Sequence, residues 1–157
     1  MKLALLKKLF VRKEPQIRRS DGCTKDRTVL LVSPHASEQN TLRVAAILER
    51  WHLLIAPTVD CAERILEQEP VSVVLYDRRA APSGWQPSVR RLLQSSHSVC
   101  LILLSDDVAE PPRCSVLECG GYDVARKPLD RATLVALVNG YLGLRESIDS
   151  FDRADSD

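Results

Sequence analysis

The sequence predicts an α/β fold: a parallel sheet with helices on both faces. Three observations carry this reading. Short apolar runs without polar alternation recur along the chain, as in strands buried on both faces. Segments with helical spacing of apolar residues separate them, so each strand must return by a crossover to the same orientation. Aromatics make up only 4% of the 157 residues against 45% hydrophobic residues overall, so the core is mostly Leu, Val, Ile and Ala. The length suits one ordinary domain with a real core and short flanks.

Thr28-Val29-Leu30-Leu31-Val32 reads as the first strand, ended by Ser33-Pro34-His35. A helix over about 37–50 follows, with Leu42, Ala45, Ala46 and Leu48 or Glu49 toward its inner edge. Leu53 to Ala56 is a shorter second strand. Asp60 is placed to cap a helix from Cys61 to Gln68, because its carboxylate can accept from first-turn amides. Pro70 closes that helix, and the run from Val71 to Tyr76 is the third strand, ending at Asp77. A loop from Arg78 to Pro87 leads to a helix carrying Val89, Leu92 and Leu93. Val99 to Leu104 is the fourth strand, ending at Ser105. Pro111-Pro112 leaves room only for a short helix near Cys114 to Cys119. Asp123 to Arg126 is the fifth strand, and Asp130 caps a last helix with Leu134, Leu137, Val138 and Tyr141 at helical spacing.

The flanks differ in charge. Residues 1–28 hold nine Lys or Arg and three acids (9 − 3 = +6); the rest holds 13 basic groups and 18 acids (13 − 18 = −5). A chain-wide basic field for nucleic acid is absent, and no recognition helix follows residue 143, which argues against a DNA-binding regulator. Residues 1–26 read as a basic leader and linker, 27–143 as the folded domain, and 144–157, with two arginines and five acids, as an acidic disordered tail. The leader's Lys7-Lys8 interrupts its apolar run and no cleavage site follows, so it is neither a signal peptide nor a span. As a helix it sets Leu3, Leu6 and Phe10 on one face, with Leu5 and Leu9 beside them and the cations opposite. A solvated leader is the simpler reading; a membrane-surface or partner-docking helix is the other. Five cysteines (23, 61, 100, 114 and 119) form no C-x-x-C pair, as expected of reduced thiols in a cytoplasmic protein.

The most specific stretch is Gly120-Gly121-Tyr122-Asp123-Val124-Ala125-Arg126-Lys127-Pro128-Leu129. A proline cannot continue the ladder, so Lys127 is held at the C-terminal edge of a strand, where open α/β sheets gather ligands. Asp77, Ser105 and Lys127 thus stand at three successive strand ends. A carboxylate, a hydroxyl and an ammonium there suit a phosphoryl group: nucleophile, oxygen partner and charge neutraliser. Alone, each is more often a capping acid, a loop hydroxyl or a solvated lysine; together they also suit a buried Lys–Asp pair that holds the loops.

This order of elements, with that Lys-Pro stretch, resembles the receiver domain of bacterial response regulators over about 27–143. The resemblance implies a flavodoxin-like doubly wound sheet with strand order 2-1-3-4-5. It implies Asp77 as phosphoacceptor from a histidine kinase, with Ser105 and Lys127 binding the phosphoryl oxygens. It also implies an acid pair after the first strand to hold Mg²⁺ with the acceptor. Here those positions are Ser33 and Pro34, leaving Asp77 as the expected ligand and Mg²⁺ binding in doubt; Glu38, in the first helical turn, is the nearest further acid. Val124 stands where the family commonly has an aromatic switch. The loop after Asp77 carries one residue more than usual before Pro82.

The expected function is a stand-alone receiver-type module of a two-component phosphorelay. It is expected to be no enzyme and to act by docking through its fourth helix, fifth strand and fifth helix. Two modes compete: phosphorylation at Asp77, impaired by the depleted metal site, and, favoured over it, a pseudo-receiver that binds partners without phosphorylation. Its partner would be a histidine kinase or other signalling protein. The rival is an enzyme or cofactor binder on the same scaffold; against it, Ser33-Pro34-His35-Ala36-Ser37 is no glycine-rich phosphate cradle. His35 and His97 read as loop residues and His52 as packed near the end of the first helix.

Overall fold

The computed structural model describes residues 27–96, 99–106 and 113–154, with backbone alone over 145–154. The basic leader and linker over 1–26, His97 and the Pro111-Pro112 step lie outside these described residues. Five parallel strands form one sheet in the order β2-β1-β3-β4-β5, as the resemblance implied. They are β1 (Thr28–Val32), β2 (His52–Ala56), β3 (Val73–Asp77), β4 (Cys100–Ser105) and β5 (Asp123–Arg126). The helices are α1 (Ala36–Glu49), α2 (Val59–Gln68), α3 (Trp85–Ser95), α4 (Arg113–Glu118) and α5 (Arg131–Ala154). A short 3₁₀ turn, Arg78–Ala80, follows β3.

Strand residues alternate between two apolar cores. Val29, Leu31, Val73, Leu75, Ile102 and Leu104 face α1 and α5, with Leu42, Trp51, Leu134 and Val138. Leu30, Val32, Val74, Tyr76, Leu101 and Leu103 face α2, α3 and α4, with Ala62, Leu66, Val89 and Val116. Both faces are covered, so every residue of β1, β3 and β4 is buried. That explains why these strands read as unbroken apolar runs. Leu103 and Leu104, fully buried on opposite faces, lock the central strands.

Several element ends depart from the sequence reading. Thr58, not Asp60, caps α2: its hydroxyl accepts from the Cys61 amide at 3.2 Å. Asp60 lies in the first turn and accepts from Arg91 of α3 at 2.7 Å. The helix therefore begins two residues earlier, because Thr58 sits in extended backbone with its hydroxyl placed to accept a first-turn amide. The last helix runs to Ala154 instead of ending near Gly143, so a helix occupies 144–154, where disorder was expected. A glycine inside a helix costs only about 1 kcal/mol, and no proline follows to stop the chain. His52 is exposed on β2, while Trp51 is buried and donates through Nε1 to Asn139 Oδ1 at 3.1 Å. Asn139 in turn donates to Glu49 at 3.0 Å, which pins the C-terminal end of α1 to α5.

The Gly-Gly pair preceding β5 has a steric reason. A Cβ on Gly121 would sit 2.4 Å from Val116 Cγ1 and 3.1 Å from the Val116 carbonyl, and Gly120 has φ +92°. The close approach lets Gly121 donate to the Val116 carbonyl and Tyr122 to the Leu101 carbonyl, each at 2.8 Å. Those bonds set β5 in register, with Arg126 opposite Ser105. Among the described residues no helix is long and apolar enough to cross a membrane. Cys100 is buried in β4, and burial pushes its thiol up to about 12, so it is inert at neutral pH.

Candidate functional site

The C-terminal edges of β1, β3, β4 and β5 converge on one cluster. In the ladder Asp77 lies opposite Leu104, so Ser105 is one residue further along the neighbouring strand, and Lys127 immediately follows β5. The Lys127 amide donates to the Ser105 carbonyl at 2.9 Å, extending the β4–β5 pairing to the lysine itself. The Lys127–Pro128 peptide is cis.

The Asp77 side chain is completely buried, and both its oxygens are engaged. Oδ1 accepts from Lys127 Nζ at 2.7 Å and from the Arg79 amide at 3.0 Å. Oδ2 accepts from the Ser33 hydroxyl at 2.9 Å and lies 3.7 Å from His35 Nε2. Lys127, itself only 10% exposed, also contacts Glu38 Oε1 at 2.9 Å. One ammonium thus bridges two carboxylates. Burial by itself would push both acids up. It is outweighed by the lowering contacts together: Lys127, the Arg79 amide and Ser33 at Asp77, and Lys127, the Glu38 amide and Ser37 at Glu38. Both carboxyls are held below the usual carboxylate range.

The structure brings Asp77 and Lys127 into direct contact, as their strand-end positions led one to expect. It places Ser105 beside them, 2% exposed, with its hydroxyl accepting from Arg78 Nη1 at 3.4 Å. Ser33 touches Asp77, while Pro34 offers no ligand atom. Four further residues complete the surroundings. His35, read from sequence as a loop residue, is the N-terminal flank of α1 and faces Asp77. Glu38 reaches Lys127. Arg78 reaches Ser105, and Arg79 pairs with Asp106, both arginines lining a shallow cleft with Ala81 and Pro82. Glu38 is the nearest further acid that the sequence singles out, in the first turn of α1; the only sequence signal for His35, Arg78 and Arg79 is their place next to strand ends.

The donor set does not fit Mg²⁺. A hard divalent ion needs several oxygen ligands, mostly carboxylate or water. Ser33 is a neutral hydroxyl already spent on Asp77, and Glu38 and Asp77 share Lys127. Among the described residues no group of three His, Cys, Asp or Glu is placed to hold a metal ion.

Depressed carboxyls make a signed prediction. A group whose folded pKa is lowered contributes stability above its unfolded value, about 4 for Asp and Glu, and loses it as pH falls through the folded one. Urea midpoints are therefore expected to drop as pH falls below about 4, the unfolded value. Asp77→Asn should flatten that limb; an unchanged acid limb in the variant would refute the assignment.

No family model matches the sequence, and no curated protein matches it. Solved structures do. A CheY-like response regulator receiver domain from Methanospirillum hungatei superposes with a TM-score of 0.70 at 15% identity, covering 77% of this chain and 97% of that one. The chain has the receiver-domain fold. The receiver domain of a Pseudomonas aeruginosa sensor histidine kinase, with magnesium coordinated in its active-site cleft, matches at 0.65 and 20% identity, covering 74% and 98%. The receiver domain of a Saccharomyces cerevisiae response regulator, crystallised with its upstream histidine phosphotransfer protein, matches at 0.68 and 13%, covering 79% and 94%.

Proposed function

We propose that this receiver-fold chain is a signalling module of a two-component phosphorelay, a degenerate receiver that works by docking with weak or no Mg²⁺-dependent phosphorylation at Asp77. The observation that carries this reading is the Lys127 bridge. For Asp77 to attack phosphorus, an oxygen must be free to approach in line, and charge on the transferred oxygens must be neutralised. Here Lys127 and the Arg79 amide hold one Asp77 oxygen and Ser33 the other. The positions that bring a metal to the family's site are a hydroxyl and a proline.

Docking has a surface available. Leu117 of α4 and Tyr122, just before β5, are 53% and 41% exposed, and Tyr122 stacks edge-on against Tyr141 of α5 at 5.4 Å. Exposed large apolar groups gathered across α4, β5 and α5 suit a protein partner. The solved receiver domain held by a phosphotransfer protein supports a histidine kinase or phosphotransfer protein as that partner. The chemistry calls for no catalysis by the chain itself, and the expected setting is the cytoplasm.

The test is incubation with a small phosphodonor and Mg²⁺ followed by intact-mass measurement. No phosphoryl gain and no thermal shift with Mg²⁺ are expected. Gain of a single phosphoryl group, abolished in Asp77→Asn, would overturn the degenerate reading in favour of a working acceptor.

A further inference from the structure

We infer that the cleft beside the end of β3 binds a small organic phosphate ester. Arg78 and Arg79 hold its phosphate, and its apolar part lies on Ala81 and Pro82. The inference rests neither on phosphorylation of Asp77 nor on a protein partner, since Asp77 is buried and does not line the cleft.

Two guanidinium groups enter this cleft from consecutive residues of one 3₁₀ turn. The turn is anchored from inside the fold. Asp77, just before it, accepts from the Arg79 amide at 3.0 Å through the same oxygen that Lys127 holds. Both arginines are then steered from the end of β4. Arg78 Nη1 donates to the Ser105 hydroxyl at 3.4 Å, and Arg79 Nη2 pairs with Asp106. Their placement precedes any ligand, which lowers the ordering cost of binding.

The charge of the lining is unbalanced. Two cations stand against the single carboxylate of Asp106, 2 − 1 = +1. Each guanidinium presents five donors in a planar fork, and a carboxylate occupies two of them at most. Like charges on neighbouring residues repel, and an oxyanion between them removes that cost. The Arg79 and Asp106 side chains are 63% and 35% exposed, so their pairing is worth little in water and yields to a more highly charged ligand. A phosphate ester is such a ligand, with close to two negative charges at neutral pH and three acceptor oxygens.

Size and lining favour an ester over the bare ion. The cleft encloses about 610 Å³, the scale of small-molecule sites and far more than a phosphate group fills. Ala81 is half-buried and Pro82 exposed, together an apolar wall beside the two forks. A ring or short chain on the ester oxygen covers that wall and gains by leaving water.

The test is titration of the full chain with phenyl phosphate, inorganic phosphate and sulfate, followed by amide chemical shifts. Phenyl phosphate is expected to bind with a Kd of about 1 mM, roughly tenfold tighter than inorganic phosphate, with shifts centred on residues 78–82. Intact mass should stay unchanged throughout, which separates this binding from phosphorylation of Asp77. Arg79→Gln should weaken binding about tenfold at an unchanged urea midpoint, because that side chain is exposed. Asp106→Asn should tighten it about threefold by removing the competing carboxylate. Equal affinity for the three anions would expose an unselective cation pair and overturn the inference. So would binding that Arg79→Gln leaves unchanged, or shifts centred elsewhere.

Discussion

Lys127→Met is expected to destabilise the protein by about 3–5 kcal/mol at pH 7, the usual cost of leaving buried charge without its partner. Methionine fills much of the lysine stem's volume, so the loss is electrostatic rather than a cavity. It strands two carboxylates at once: Asp77, with no exposed side-chain surface, and Glu38, 12% exposed. Ser33, the Arg79 amide and His35 remain to Asp77, but none supplies a fixed positive charge there. The urea midpoint should fall by roughly 2 M, taking a slope typical of a small domain. The sign of the pH response should also reverse. With Lys127 gone, burial raises both carboxyls, so the variant should gain stability as pH drops from 7 toward 5, where the wild type does not. Asp77→Asn should cost far less, about 1 kcal/mol, because the amide still accepts from Arg79 and Lys127 keeps Glu38. A Lys127→Met variant within about 1 kcal/mol of wild type would show that the bridge carries no weight.

Ser33→Asp should reveal what the missing metal ligand costs and what it would restore. Ser33 is fully buried and donates to Asp77 at 2.9 Å. A carboxylate in its place loses that donor and sets two like charges side by side in a dry site. In the presence of a chelator the expected loss is about 2–4 kcal/mol. Saturating Mg²⁺ should return much of it, since binding at a hundredfold excess over Kd is worth about 2.7 kcal/mol. The wild type, whose Ser33 is neutral and Pro34 barren, should show no such response. The prediction fails if Mg²⁺ raises both midpoints equally, or neither.

Much of the fold was legible because strand burial leaves a direct mark. β1, β3 and β4 are packed on both faces, so their apolar runs cannot alternate. β3 and β4 end where the backbone leaves the cores and Pro128 stops β5, which is why Asp77, Ser105 and Lys127 stood out as strand-end residues. Helix ends were less legible. A Thr and an Asp two residues apart compete to cap α2, and geometry chose Thr58. At the other extreme, Gly143 looked like a stop, yet α5 passes through it to Ala154.

Ordered by chain position, residue chemistry alone determined the parallel α/β architecture and the three strand-end polar groups, and set beside the resemblance to receiver domains it showed Ser33 and Pro34 where that family has an acid pair. Those follow from local facts: apolar runs, a proline after a lysine, and side chains with or without ligand atoms. Only the tertiary structure decided that Lys127 spans Asp77 and Glu38, that His35 faces the same carboxylate and that Arg78 reaches Ser105. These contacts join residues 27 to 89 positions apart in the chain, or depend on how the first turn of α1 tilts over the sheet edge. A charge chooses its partner by distance and burial in space, and neither is written in its neighbours along the chain.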